Sequence, residues 1–213
     1  ELDELALLAN AADATIEGLH SHAGSGIMSP DAWIDAAARL ADLAARFPEA
    51  RVIDIGGGLG VPDAHDGMEL DLGAIGRGIA GLRSAWPKLE LWIEPGRYLV
   101  ARAGVLLATV TQLKGKGDML YAGVDTGMNS LIRPALYGAW HEIVNLSRVG
   151  EEADASVTVV GPICESGDVL GSERAMPEPR EGDVLLIANA GAYGRAMSST
   201  YNLREPAAET LIE

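Results

Sequence analysis

The sequence predicts an α/β half, residues 1–103, followed by an all-β half, residues 104–213. Up to Trp86, short β-type runs alternate with segments whose apolar residues recur at helical spacing. Beyond Ala103 the texture changes to short β-type runs separated by glycine, proline and charged turns. The stretch VIDIGGGLGVP, residues 52–62, is the clearest single element: a buried strand that opens at its C-terminal end into a bare backbone loop, able to converge amide N–H groups on an anion.

Taken in order, Leu2, Leu5, Leu8 and Ala12 are spaced for a helix. Residues 15–20 form a strand-like run that leads into HSHAGSG, residues 20–26. Ser29, Pro30 and Asp31 supply an N-cap, a first-turn proline and an acidic first turn. The helix they start carries Trp33, Ala37, Leu40, Ala44 and Phe47 on one face, and Pro48 stops it. After the glycine loop, a helix over 71–86 lines up Leu72, Ile75, Ile79 and Leu82, and a strand over 89–93 ends in EPGR, residues 94–97. Three βα units thus place a polar motif at a strand's C-terminal end, where parallel α/β barrels and open sheets carry their sites. Residues 1–103 supply less than half of the ~250 of a full barrel, so a C-terminal part of a (β/α)8 TIM-like barrel is expected. Residues 105–113, 119–124, 156–160 and 184–188 read as strands of an antiparallel β-barrel or sandwich, with the boundary between about Ala101 and Lys114.

Composition narrows the function. The 213 residues are 48% hydrophobic, enough for a real core. A net charge of -15 argues against nucleic acid or an anionic membrane surface as partner. Cys164 is the single cysteine, so no internal disulfide forms and a cytoplasmic setting is the default. His20, His65 and His141 show no metal-ligand spacing with Cys or acidic residues, so no metal is expected.

Three further segments stand out: VDTGMNSLIRPALYGAWHEI (residues 124–143), GPICESGD (161–168) and NAGAYGRAMSSTYN (189–202). With HSHAGSG, GGGLG and EPGR, they resemble in order and spacing the pyridoxal-phosphate-dependent amino-acid decarboxylases built on an alanine-racemase-like barrel. The diaminopimelate branch is the most similar, and some of its members are fused to an aspartate kinase. That resemblance implies decarboxylation of meso-2,6-diaminopimelate to L-lysine with pyridoxal 5'-phosphate as cofactor.

The resemblance also assigns roles. Glu94 keeps the ring nitrogen protonated, as a nearby opposite charge should; His22 stacks on the ring. Ser25, Gly57, Gly58, Arg97 and Tyr193 serve the phosphate, Arg97 and Tyr193 also facing substrate. Arg133 and Tyr137 match the positions that bind the substrate's distal carboxylate, and Glu165 the one that binds its distal ammonium. Cys164 matches the proton donor to the carbon that carbon dioxide leaves. In the family the Cys164 segment reaches the partner's site, which implies a homodimer with shared sites.

The sequence departs from the family in lacking the Tyr-x-x-Lys segment whose lysine joins the cofactor. Lys88, Lys114 and Lys116 match no such position, so the chain reads as the C-terminal portion of a longer enzyme, inactive by itself. Asn189 and Ser130 stand where acidic residues are expected. Two other readings compete: a non-catalytic homologue acting as a binding or regulatory partner, and a related enzyme such as a carboxynorspermidine decarboxylase.

Overall fold

The computed structural model describes residues 1–64, 67–117 and 119–212, which form two compact units. Residues 1–62 with 68–98 make the first, and residues 63–67 with 99–213 the second.

In the first unit, α1 (Leu2–Ala11) precedes three βα repeats: β1 (Gly18–His20), α2 (Pro30–Ala44), β2 (Val52–Asp54), α3 (Leu72–Arg83), β3 (Glu90–Trp92) and α4 (Gly96–Val100). The strands form a parallel sheet in the order β1-β2-β3. Its two faces differ as a period of two requires. Leu19, Ile53 and Leu91 stand in register on one face and pack with Trp33, Ala37 and Leu40 of α2. On the other, His20, Asp54 and Trp92 are in register.

Ser29 occupies the N-cap of α2 without a side-chain hydrogen bond, whereas Asp71 caps α3 by accepting from the Ala74 N–H at 2.8 Å. The 15 residues of α2 would be marginal as an isolated helix, so its stability comes from the buried stripe of Trp33, Ala37, Leu40, Ala41 and Ala44. Helix α1 forms where its spacing predicts, but Leu2, Leu5 and Leu8 are exposed.

The second unit is a six-stranded sheet in the order β6-β9-β4-β5-β7-β8, with β4 (Leu106–Lys116), β5 (Met119–Val124), β6 (Ile143–Asn145), β7 (Ala155–Val160), β8 (Val169–Met176) and β9 (Val184–Ile187). A short helix α5 (Arg133–Tyr137) lies between β5 and β6. The expected antiparallel domain is corrected to a mixed one, because β5 and β7 run parallel. The intervening chain, with α5 and β6, returns β7 in the direction of β5 where a hairpin would have reversed it.

Strand β4 turns the sheet on itself. Its first half pairs with β9 and its second with β5, with a register break between Val110 and Gln112. A side chain at Gly171 of β8 would come within 2.8 Å of Ile143 of β6, so the two end strands nearly close the sheet into a barrel. Alternating residues of the strands, Val110, Ala122, Val157, Val159, Leu185 and Ile187 among them, fill its interior. Beside it, the Asp183 carboxylate accepts from Asn145 (3.0 Å), Arg148 (2.8 Å) and the Arg180 amide (2.9 Å).

Candidate active site

The first unit gathers its expected residues at the C-terminal ends of its strands. The Gly57 N–H donates to Nδ1 of His22 at 3.2 Å, so this amide orients the imidazole, and the ring proton of the neutral form lies on Nε2. The Gly56 N–H donates to the Asp54 carboxylate at 2.9 Å. A Cβ on Gly57 would collide with the Glu94 carbonyl, and one on Gly58 with the Gly24 carbonyl. The HAGSG, GGGLG and EPGR loops therefore approach to a distance that only glycine permits. Gly58 also lies against Ser25, and the Arg97 guanidinium reaches the end of the HAGSG turn at Gly26.

Two residues that the sequence reading did not place in the site belong to this group. His20 Nε2 lies 3.4 Å from Glu94 Oε2. With Asp54 they form a cluster whose ligand-type atoms lie within 4.8 Å of one another. His20, which shows no metal-ligand spacing with acidic residues along the sequence, thus has two acidic neighbours in space. Three strand ends meet there, which linear spacing cannot reveal. His65 lies outside the described residues.

In the second unit, Pro134 in the first turn of α5 and Gly138 at its end, φ +62°, define a single helical turn. Arg133 and Tyr137 are four apart and so share a face of it. Arg133 Nη1 donates to Nε2 of His141 at 3.0 Å, and Nδ1 of His141 pairs with the Ala188 carbonyl at 2.8 Å.

Cys164 and Glu165 sit on the turn between β7 and β8, both exposed. The Cys164 N–H donates to the Asn202 side chain at 3.0 Å, and the Tyr201 hydroxyl donates to Glu165 at 3.4 Å. Buried Asp168 anchors this turn by accepting from the amides of Ile163 (2.7 Å) and Met128 (2.6 Å). Tyr193 has φ +62°, a left-handed backbone that a bulky residue seldom adopts.

The two departures have local explanations. Asn189 takes φ +57°, a conformation that Asn and Asp both tolerate. Ser130 is buried, its hydroxyl 2.6 Å from that of Thr126 and accepting from the Ala207 N–H at 2.9 Å. Lys88 is exposed ahead of β3, at the opposite end of that strand from Glu94, and Lys114 and Lys116 are exposed on β4.

The family described as pyridoxal-dependent decarboxylase, C-terminal sheet domain, matches residues 26–191. The chain belongs to the pyridoxal-dependent decarboxylases. It is 41% identical over 206 residues to a diaminopimelate decarboxylase of Methanothermobacter thermautotrophicus, covering 92% of this chain and 48% of that protein. A crystal structure from Aquifex aeolicus superposes with a TM-score of 0.87 at 35% identity, over 99% of this chain and 53% of that one. Helicobacter pylori diaminopimelate decarboxylase complexed with L-lysine gives 0.78 at 33% identity, over 94% and 50%. The chain spans about half the length of the curated relatives it matches. Among the described residues, no helix is long and apolar enough to cross a membrane.

Proposed function

We propose that this chain supplies part of a pyridoxal-phosphate-dependent decarboxylase that converts meso-2,6-diaminopimelate to L-lysine. Residues 1–103 are read as the C-terminal part of its (β/α)8 barrel and 104–213 as the β domain. The observation that carries the reading is the grouping of His22, Gly57, Gly58, Glu94 and Arg97 at adjoining strand ends of one parallel sheet.

The donor set fits the cofactor. A glycine loop, Ser25 and a guanidinium suit a phosphate dianion, an imidazole suits an aromatic ring face, and a carboxylate suits a pyridinium. When bound, pyridoxal phosphate supplies a sink for the electron pair left as carbon dioxide departs. Gly57, Gly58, Ser25, Arg97 and Tyr193 would hold the phosphate, with the Gly57 amide also fixing His22. Glu94 would keep the ring nitrogen protonated, and His20 beside it would steady that carboxylate.

The second-unit residues give the substrate its specificity. Arg133 and Tyr137 offer a cation and a hydroxyl for the distal carboxylate, and Glu165, held by Tyr201, an anion for the distal ammonium. A substrate lacking one of these distal groups would leave its partner charge unmatched, which is how such a site discriminates against it. Cys164 would hold the proton delivered to the α-carbon after carbon dioxide leaves. A cytoplasmic homodimer with shared sites completes the proposal. Lys88 lies at the opposite end of β3 from Glu94, and none of the chain's three lysines stands in a Tyr-x-x-Lys segment, so this segment by itself is expected to be inactive.

The test is the initial rate of carbon dioxide release by the full-length protein with pyridoxal phosphate, offered meso-diaminopimelate, lysine or ornithine. Strong preference for meso-diaminopimelate is expected. Equal rates on all three would remove the roles of Arg133 and Glu165, and no release from any would favour a non-catalytic homologue.

A further inference from the structure

His141 is fully buried, and both of its ring nitrogens are engaged. A carbonyl can only accept, so the Ala188 carbonyl at 2.8 Å requires the proton on Nδ1. Nε2 is then a lone pair, and the Arg133 guanidinium at 3.0 Å donates to it. One backbone carbonyl on the far side of the ring thereby selects the tautomer that can receive an arginine. A protonated imidazole would face the guanidinium with a second positive charge and no acceptor.

We propose that His141 is a positioning residue, which as a neutral acceptor fixes the Arg133 guanidinium at the start of α5 for a ligand carboxylate. This rests on the reading of Arg133 as the carboxylate-binding group. His141 sets affinity for carboxylate-bearing ligands without touching them. Its surroundings keep it neutral: burial lowers its pKa most, the Ala188 hydrogen bond opposes that, Arg133 and Arg174 lower it further, and Asp63 raises it. Glu142 adjoins it in sequence.

Two probes separate the carboxylate from the rest of the ligand. L-lysine keeps an intact amino-acid group, and cadaverine is the same diamine without the carboxylate. Dissociation constants of both are measured by calorimetry on the full-length, pyridoxal-phosphate-loaded protein: wild type, Arg133→Ala, His141→Asn and His141→Gln. Asparagine is too short to present an acceptor at the Nε2 position, whereas the glutamine amide oxygen reaches it. His141→Asn should weaken L-lysine about tenfold, the low end for a lost hydrogen bond to a charged group, with cadaverine within twofold. His141→Gln should recover part of the loss. In wild type, L-lysine affinity should also fall as pH drops below the ordinary imidazole range, a limb absent from His141→Gln.

If Arg133→Ala weakens L-lysine selectively and His141→Asn does not, the role of His141 is overturned while that of Arg133 stands. If Arg133→Ala leaves L-lysine unchanged, the carboxylate reading itself fails. Equal weakening of both probes by His141→Asn identifies a merely structural residue and also overturns the proposal. Should His141→Asn fail to fold, the His141→Gln pH profile decides: a limb like that of wild type contradicts the assignment.

Discussion

The carboxylate of Asp168 occupies the space that any side chain on Gly127 would need. From there it accepts from Met128 on one loop and Ile163 on another, so a single buried acid ties the GMN segment to the turn that presents Cys164 and Glu165. The two exposed residues owe their placement to an anchor a few positions downstream.

Asp168→Ala should therefore leave two amides without acceptors, each costing about 1–3 kcal/mol if it stays dry. Chemical denaturation of the full-length protein is expected to show that loss, with turnover falling as the Cys164 turn loosens. Gly127→Ala should act in the same direction by displacing the carboxylate. Unchanged stability in both variants would refute the anchoring role.

Asp183 gives the fold a pH dependence of known sign. Burial raises its pKa, but the hydrogen bonds from Asn145, the Arg180 amide and Arg148 outweigh this and leave it lowered. A carboxyl whose folded value lies below its unfolded value stabilises the fold above the unfolded value and loses that contribution as pH falls through the folded one. The urea midpoint of wild type should exceed that of Asp183→Asn near neutral pH, and the two should converge in acid. A gap that persists in acid would assign the effect to packing.

Cys164→Ala should leave pyridoxal phosphate binding nearly intact while lowering turnover at least ~10²-fold, the lower end for lost proton transfer. Parallel measurement of cofactor absorbance and carbon dioxide release separates the two effects. An unchanged rate would take Cys164 out of the mechanism.

Much of this was legible in the sequence because it is local. The helix-spaced stripe Trp33, Ala37, Leu40, Ala44 and the β-type run at 119–124 occur where their periodicity puts them, and the six motifs carry the family. What escaped is non-local. His20 meets Glu94 only because three parallel strands end side by side. The parallel pairing of β5 with β7 depends on where a long connection returns, which alternation within a strand does not encode. Strands β6 and β8 lay inside or beside segments dominated by polar motif residues, which hid their short alternating patterns. His141 looked like an isolated histidine because its partners, Arg133 and the Ala188 carbonyl, are 8 and 47 residues away.

The most direct test of the whole account is the affinity of the full-length protein for pyridoxal phosphate in wild type, Arg97→Ala and Arg133→Ala. A site built on the first unit's strand ends requires Arg97→Ala to weaken the cofactor about tenfold or more, as loss of a charge-assisted bond to phosphate should, with Arg133→Ala binding like wild type. Wild-type affinity in Arg97→Ala, or an equal loss in Arg133→Ala, would contradict it.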